Sequence, residues 1–323
     1  MDHKILYLSR ADVEAADVPM ARIIAGLEAM FREKGEGRVE MPPKPGIHPR
    51  PDSFIHAMPA YIPGLKSAGM KWVSGFPDNI GKGMPYISGL IILNDPETGF
   101  PVSVMDGTWI TAKRTGAATA VAAKYLARPD SRIVGILGCG VQGRSNLEAL
   151  GALFPVQRVL AYDARSEASE SYAQEMSAAL DLEVRPVKFP REAVSGCDIV
   201  ITAGPILKVP HATIQPGWLD EGAFASLVDY DSYWHRAALR EVDKFCTDDV
   251  PQLEYSKTMG YFQDIPAIYA ELGELVTGRK PGRETVRERT MACNLGLALD
   301  DMATAPLVLK LAAEKGLGTP LPL

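Results

Sequence analysis

Three glycines at the end of a short apolar run carry the clearest chemistry in this chain. Ile133-Val134-Gly135-Ile136-Leu137 runs directly into Gly138-Cys139-Gly140-Val141-Gln142-Gly143. This is the Gly-x-Gly-x-x-Gly spacing of a strand-to-helix turn that cradles a phosphate. Each glycine has its own reason: Gly138 permits the tight turn, Gly140 lets the backbone approach a pyrophosphate, and Gly143 lets the next helix close on the strand. A helix starting near Val141 and Gln142 presents free N–H groups to the anion. The next apolar run, Arg158-Val159-Leu160-Ala161-Tyr162, ends in Asp163, a carboxylate where a ribose diol is recognised. That carboxylate repels a 2′-phosphate and so favours NAD over NADP, while Arg165 could pair with the same phosphate and keeps NADP open. Cys197-Asp198-Ile199-Val200-Ile201-Thr202-Ala203 reads as a later strand of the same sheet, with Thr202 at its cofactor end.

These groups need a scaffold, and the periodicity supplies one. Strand and helix patterns alternate from about Ser131 to Asp249, the length and rhythm of a nucleotide-binding domain. Before it, Ile5-Leu6-Tyr7-Leu8 reads as a strand, and Asp12 to Lys34 as one or two helices with Pro19 at a start or break. Val39 to Gly64 is rich in proline and glycine and suits several strands. Further strands are expected at Gly69–Gly75 and Ser88–Asp95, the latter turning at Asp95-Pro96-Glu97-Thr98-Gly99 into a hairpin partner, Pro101–Asp106. Thr108 to Leu126 reads as a closely packed helix. A polar stretch, Gly278 to Arg283, reads as exposed, and a final helical pattern is expected from Thr290 to Lys315. The pattern predicts an α/β protein: a Rossmann-type dinucleotide-binding domain over 129–294, and a discontinuous α+β domain built from 1–128 and completed by 295–323.

Composition narrows the function classes. A chain of 323 residues exceeds the usual single domain. With 40 acidic against 34 basic residues the formal charge is −6, and no Lys/Arg tract offers a polyanion surface, so nucleic acid is not an expected partner. No uncharged apolar run is long enough for a membrane span, and Met1-Asp2-His3-Lys4 lacks a secretion signal's apolar stretch, so a cytoplasmic enzyme is expected. Cys139, Cys197, Cys246 and Cys293 share no metal-ligand spacing and read as reduced thiols, with no metal site.

The motifs together resemble one family. Met58-Pro59-Ala60-Tyr61, Gly69-Met70-Lys71-Trp72-Val73, Leu93-Asn94-Asp95, Thr111-Ala112-Lys113-Arg114-Thr115, the glycine loop, and Tyr269-Ala270-Glu271-Leu272-Gly273-Glu274-Leu275-Val276-Thr277-Gly278 are similar to the ornithine cyclodeaminase/mu-crystallin family over nearly the whole chain. The resemblance implies a homodimer whose first domain pairs its sheet with its copy, and a catalytic cleft between that domain and the dinucleotide domain. It implies that Lys71 and Arg114 hold a substrate carboxylate, with Lys44 as an assisting basic residue and His56 near the variable part of the substrate. Arginine's fork suits both carboxylate oxygens, and lysine adds a mobile point charge. The resemblance also puts Asp231 at the catalytic aspartate, after the strand Ala223–Val228.

Two departures from the family pattern stand out. Asp229-Tyr230 replaces a Gly-Ala pair before Asp231, and a Pro-Gly turn gives way to Tyr233-Trp234. Two residues apart in a strand, Asp229 and Asp231 would share a face, but a turn here would part them. In the C-terminal signature Met291-Ala292-Cys293 stands where Phe-Lys-Ser is common, while Gly296 and Asp301 keep the frame. The family joins several reactions. The leading expectation is an NAD-dependent oxidoreductase, an amino-acid dehydrogenase or imine reductase acting on a small amino or imino acid, with Asp231 and Lys71 catalytic. An ornithine-type cyclodeaminase with catalytic NAD, and a non-enzymatic crystallin-like binding protein, are the alternatives.

Overall fold

The computed structural model describes residues 3–50 and 52–323, so the first two residues of the polar start lie outside the described residues. The chain begins with β1 (Lys4–Leu8), α1 (Arg10–Ala16) and α2 (Met20–Gly35). Five strands follow: β2 (Gly46–Ile47), β3 (Phe54–Ile62), β4 (Ser67–Gly75), β5 (Ile87–Asn94) and β6 (Pro101–Asp106). The long helix α3 (Thr108–Leu126) leads into β7 (Ile133–Leu137), α4 (Val141–Gly151), β8 (Arg158–Tyr162), α5 (Ser166–Leu180) and β9 (Glu183–Pro186). Next come β10 (Ile199–Thr202), β11 (Phe224–Leu227), α6 (Arg236–Leu239), β12 (Lys244–Thr247), α7 (Val250–Thr258), β13 (Ala270–Glu271), α8 (Leu272–Val276) and β14 (Thr290–Cys293). The chain closes with α9 (Ala298–Glu314) and β15 (Thr319–Pro322). It divides into two compact units, Met1–Arg114 with Leu297–Leu323, and Thr115–Gly296, so the division falls inside α3.

In the first unit a mixed sheet runs β15-β1-β6-β5-β4-β3-β2. Among the described residues of this sheet only β1 and β6 pair in parallel; the remaining neighbours are antiparallel. Period-two alternation sorts its faces: Lys71 and Val73 are buried and the intervening Trp72 is exposed. Helix α9 packs against β3, β4 and β5 and against α1 and α2. Small residues allow that approach, since a side-chain carbon on Gly26 of α2 would lie 3.4 Å from the Ala303 carbonyl oxygen.

Pro306 lies inside α9 and has no N–H to give the carbonyl four residues back, that of Met302. The buried Ser67 hydroxyl of β4 donates to this same oxygen at 2.7 Å. Ser67→Ala should therefore leave a buried acceptor unpaired and cost about 1–2 kcal/mol in denaturant unfolding. In a Pro306→Ala background, where the helix regains its own donor, the cost should shrink. An equal cost in both backgrounds would disprove the pairing.

The second unit is built on an eight-stranded, all-parallel sheet in the order β13-β12-β14-β11-β10-β7-β8-β9. From β7 the chain order proceeds outward through β8 and β9 on one side and through β10 and β11 on the other. The reversal between β7 and β10 is the place where open α/β sheets open a crevice at their carboxyl ends. Val200, Ala225, Leu227, Trp234, Phe245 and Met291 belong to the core of this unit.

Two expectations are corrected. Thr290–Cys293 is a strand rather than the start of the last helix, and α9 begins only at Ala298. A four-residue, wholly buried run has no periodicity to separate strand from helix, and here β11 and β12 pair with it on both sides. Arg283, like Gly282 beside it, is not exposed with the rest of its polar stretch. Its guanidinium donates to the carbonyls of Leu126, Ala223 and Glu288 and to the Thr290 hydroxyl, tying the segment to the sheet.

Candidate functional site

The glycine turn lies at the carboxyl end of β7. Gly138 has φ +105°, and a side-chain carbon there would come within 2.5 Å of the Ala203 carbonyl that follows β10. Gly143 has no room for a side chain either, because it would collide with the Gly138 carbonyl. Gly140 is different: a carbon added there meets nothing within 4 Å, so the turn opens onto free space. Gly140 is also the N-cap of α4, where no side chain caps the helix, and Val141 beside it is exposed. An open, uncapped helix start with backbone access fits a phosphate group. Asp163, just past β8, accepts the Cys139 N–H at 2.9 Å and the Arg165 N–H at 3.0 Å. The Arg165 side chain is exposed, with its Nε 3.9 Å from Asp163. The glycine turn, Asp163 and Arg165 thus form one rim of the second unit.

Thr202 closes β10 beside that rim, and its hydroxyl donates to Asp229 at 2.6 Å. Asp229 also accepts the Gly204 N–H at 2.8 Å. Chain direction reverses right after it: Tyr230 has φ +64°, the left-handed region that a bulky residue adopts only under constraint. The turn parts Asp229 from Asp231, whose carboxylate faces the backbone N–H of Phe262, itself at φ +54°. The Tyr230 ring packs on Tyr261 and Phe262. Trp234 is a core residue whose indole N–H reaches Thr202.

Burial raises the proton affinity of Asp229 to about 7, with the charge of Asp231 adding and the Thr202 and Gly204 hydrogen bonds opposing. Burial also raises that of Asp231. Asp229's folded-state value lies above that of the unfolded chain. Its contribution to stability is therefore largest below the ordinary carboxylate value and is lost as pH rises through about 7. Asn at 229 keeps both contacts without a charge, its amide donating to Thr202 and its carbonyl accepting from Gly204. Asp229→Asn is expected to raise Tm by about 2–6 °C at about pH 8, with the gain shrinking toward about pH 4. A gain that is the same across that range would rule out the buried charge as its cause.

The second centre belongs to the first unit. Lys71 points from β4 to the inner face and is 1% exposed, and Arg114 on α3 is 6% exposed. Two wholly buried carboxylates from the first turn of α9 meet them. Lys71 Nζ lies 2.6 Å from Asp301, Arg114 Nε lies 3.4 Å from the other oxygen of Asp301, and Arg114 Nη1 lies 3.1 Å from Asp300. Lys71 also donates to Thr111 at 3.3 Å. Burial and the like charges of Arg114 and Lys44 lower Lys71 to about 7, against the upward pull of Asp301. His56, two strand positions from Met58, the cross-strand partner of Lys71, stacks on Phe54 at 4.3 Å. Burial, together with Lys44, His48 and Lys71, lowers it to about 4, so it is a neutral imidazole at ordinary pH. Lys44, His56, Lys71 and Arg114 thus gather in one electrostatic environment.

A family model for the ornithine cyclodeaminase/mu-crystallin family matches residues 3–316. The chain belongs to this family. It is 35% identical over 317 residues to the nodulation efficiency protein of Rhizobium meliloti, with 98% of each chain covered. Among solved structures it is similar to Thermococcus litoralis Δ1-pyrroline-2-carboxylate reductase in complex with NADH and L-proline. The TM-score is 0.90 at 36% identity, covering 98% of this chain and 100% of that one. It is also similar to an archaeal alanine dehydrogenase dimer with bound NAD, at TM-score 0.88 and 33% identity over 99% and 100% of the two chains.

Sequence reasoning assigned no role to Asp300, Asp301 or Thr111. A signal was there for the first two: a pair of acids in an otherwise apolar helix pattern needs buried cationic partners. Cys293 is excluded as a nucleophile, because it is fully buried and its thiol is raised well above the usual value by burial, with Asp248, Asp231 and Asp229 adding to the rise. Among the described residues no group of three or more His, Cys, Asp or Glu side chains could hold a metal ion, and no helix is long and apolar enough to cross a membrane.

Proposed function

We propose that this protein is an NAD-dependent oxidoreductase acting at the α-carbon of a small amino or imino acid. The observation that carries the reading is the buried Lys71/Arg114 pair, two preorganised cations at the inner face of a family member's first unit. In this reading Arg114 takes both substrate carboxylate oxygens with its fork and Lys71 adds a second charge, with Lys44 contributing to the field. His56, neutral and stacked, borders the variable part of the substrate. Asp231 positions or protonates the substrate nitrogen, or accepts its proton in the reverse direction. Gly138, Gly140, Val141, Gln142, Gly143 and Thr202 hold the dinucleotide, which supplies the hydride chemistry. Asp163 binds the ribose diol and favours NAD, whereas an exposed Arg165 leaves NADP as a weaker second cofactor.

Exposed Trp72 and its cross-strand partner Leu90 lie on the outer face of the first sheet. Such an apolar pair supports a homodimer formed through this face, checked by light scattering of wild type against Trp72→Glu.

The experiment is NADH and NADPH absorbance with purified protein and a panel of amino and imino acids, with product analysis for ornithine and lysine. Net cofactor turnover supports the reading. Ammonia and a cyclic product with no net change in NADH would replace it by cyclodeamination. NAD binding without any turnover would point to a binding protein.

A further inference from the structure

The two buried cations come with two buried carboxylates, and the carboxylates are not equivalent. Asp300 has a structural duty, accepting the Leu297 N–H at the start of α9 at 2.9 Å. Asp301 has none of that kind. Neither of its oxygens accepts from a backbone N–H; one pairs with Lys71 at 2.6 Å and the other lies 3.4 Å from Arg114. Its two oxygens are thus divided between the two side chains to which the proposed function gives the substrate carboxylate. The carboxylate is also anchored well. It stands in the first turn of α9, where the helix favours negative charge, and α9 packs on β3, β4 and β5.

Resting on the functional reading above, we infer that Asp301 is the positioning residue of the carboxylate-binding site. It clamps Lys71 with one oxygen and Arg114 with the other, setting the spacing and direction of both cationic heads. A mobile lysine and a long arginine would otherwise each lose orientation, and misplacement by about 1 Å can cost about 10²-fold in rate. Asp301 also favours the charged form of the Lys71 ammonium. The groups facing Lys71 are Arg114 and Thr111 on α3, Asp300 and Asp301 on α9, Lys44 before β2, and His56 on β3. Among the charged neighbours that most affect Lys71, Arg114 and Lys44 work against its proton and Asp301 works for it. Without Asp301, Lys71 loses its proton at lower pH.

The test compares wild type with Asp301→Asn and Asp301→Glu in the full chain. In ligand-free protein labelled with ¹³C-lysine, and with Lys71→Arg used for assignment, the Lys71 resonance should titrate about one unit or more lower in Asp301→Asn. In the assay, KM for the amino or imino acid should rise at least about tenfold, and the alkaline limb of kcat/KM should move toward lower pH. Asp301→Glu should restore the titration better than it restores KM, because it keeps the charge but displaces the clamp. Unchanged Lys71 titration together with unchanged KM in Asp301→Asn would overturn the inference. If Asp301→Asn does not fold, Asp301→Glu decides: a raised KM supports the clamp, and wild-type kinetics refute it. If wild type turns over nothing in the panel, the functional reading falls, while the Lys71 titration still decides whether Asp301 controls Lys71.

Discussion

Lysine at position 114 is expected to lower kcat/KM for the amino or imino acid by about two orders of magnitude while leaving the chain folded. The charge is kept, so Asp300 and Asp301 still face a cation and the buried network is not left unbalanced. What is lost is the fork that can serve a carboxylate oxygen pair while still touching α9. Truncating one side of a buried, hydrogen-bonded charge pair costs about 2–5 kcal/mol, and each 1.4 kcal/mol is a factor of about ten. Most of the loss should fall on KM, because the carboxylate is held equally in ground and transition states. Arg114→Met should be worse in a second way, with lower stability from uncompensated buried carboxylates. Steady-state kinetics with wild-type values for Arg114→Lys would remove Arg114 from the substrate site.

The second large effect separates the two aspartates. Asp231→Asn is expected to lower kcat by about 10²- to 10⁴-fold, the range for loss of a general acid or base. Asp229→Asn should stay within about tenfold, because both Asp229 oxygens are already engaged by Thr202 and Gly204. The pH profile adds a sign. Burial raises Asp231 above the ordinary carboxylate range, so in the amine-oxidising direction, where its ionised form accepts the proton, activity should fall as pH drops through that raised value. That acid limb should vanish in Asp231→Asn and persist in Asp229→Asn. An inactive Asp229→Asn beside an active Asp231→Asn would transfer the catalytic role to Asp229.

Much of this protein was legible in its sequence, for reasons that are local. The Gly138–Gly143 turn could be read because a positive φ at Gly138 and the crowding at Gly143 are demands on single residues. The alternation of Lys71, Trp72 and Val73 reflects a strand's period of two, and the break at Pro19 reflects a missing N–H. Asp163 could be read as a carboxylate just past the end of its strand, which is where it stands. What only the tertiary structure decided depends on partners far along the chain. Thr290–Cys293 became a strand because β11 and β12 enclose it, and periodicity cannot report neighbours. Ser67 serves a helix carbonyl 235 positions away, and Arg114 meets Asp300 across 186. The acids of α9 stand in an otherwise apolar helix pattern, and only the fold shows that two cations lie against them. A sequence pattern records which face a residue takes, whereas charge compensation in a buried site depends on three-dimensional packing.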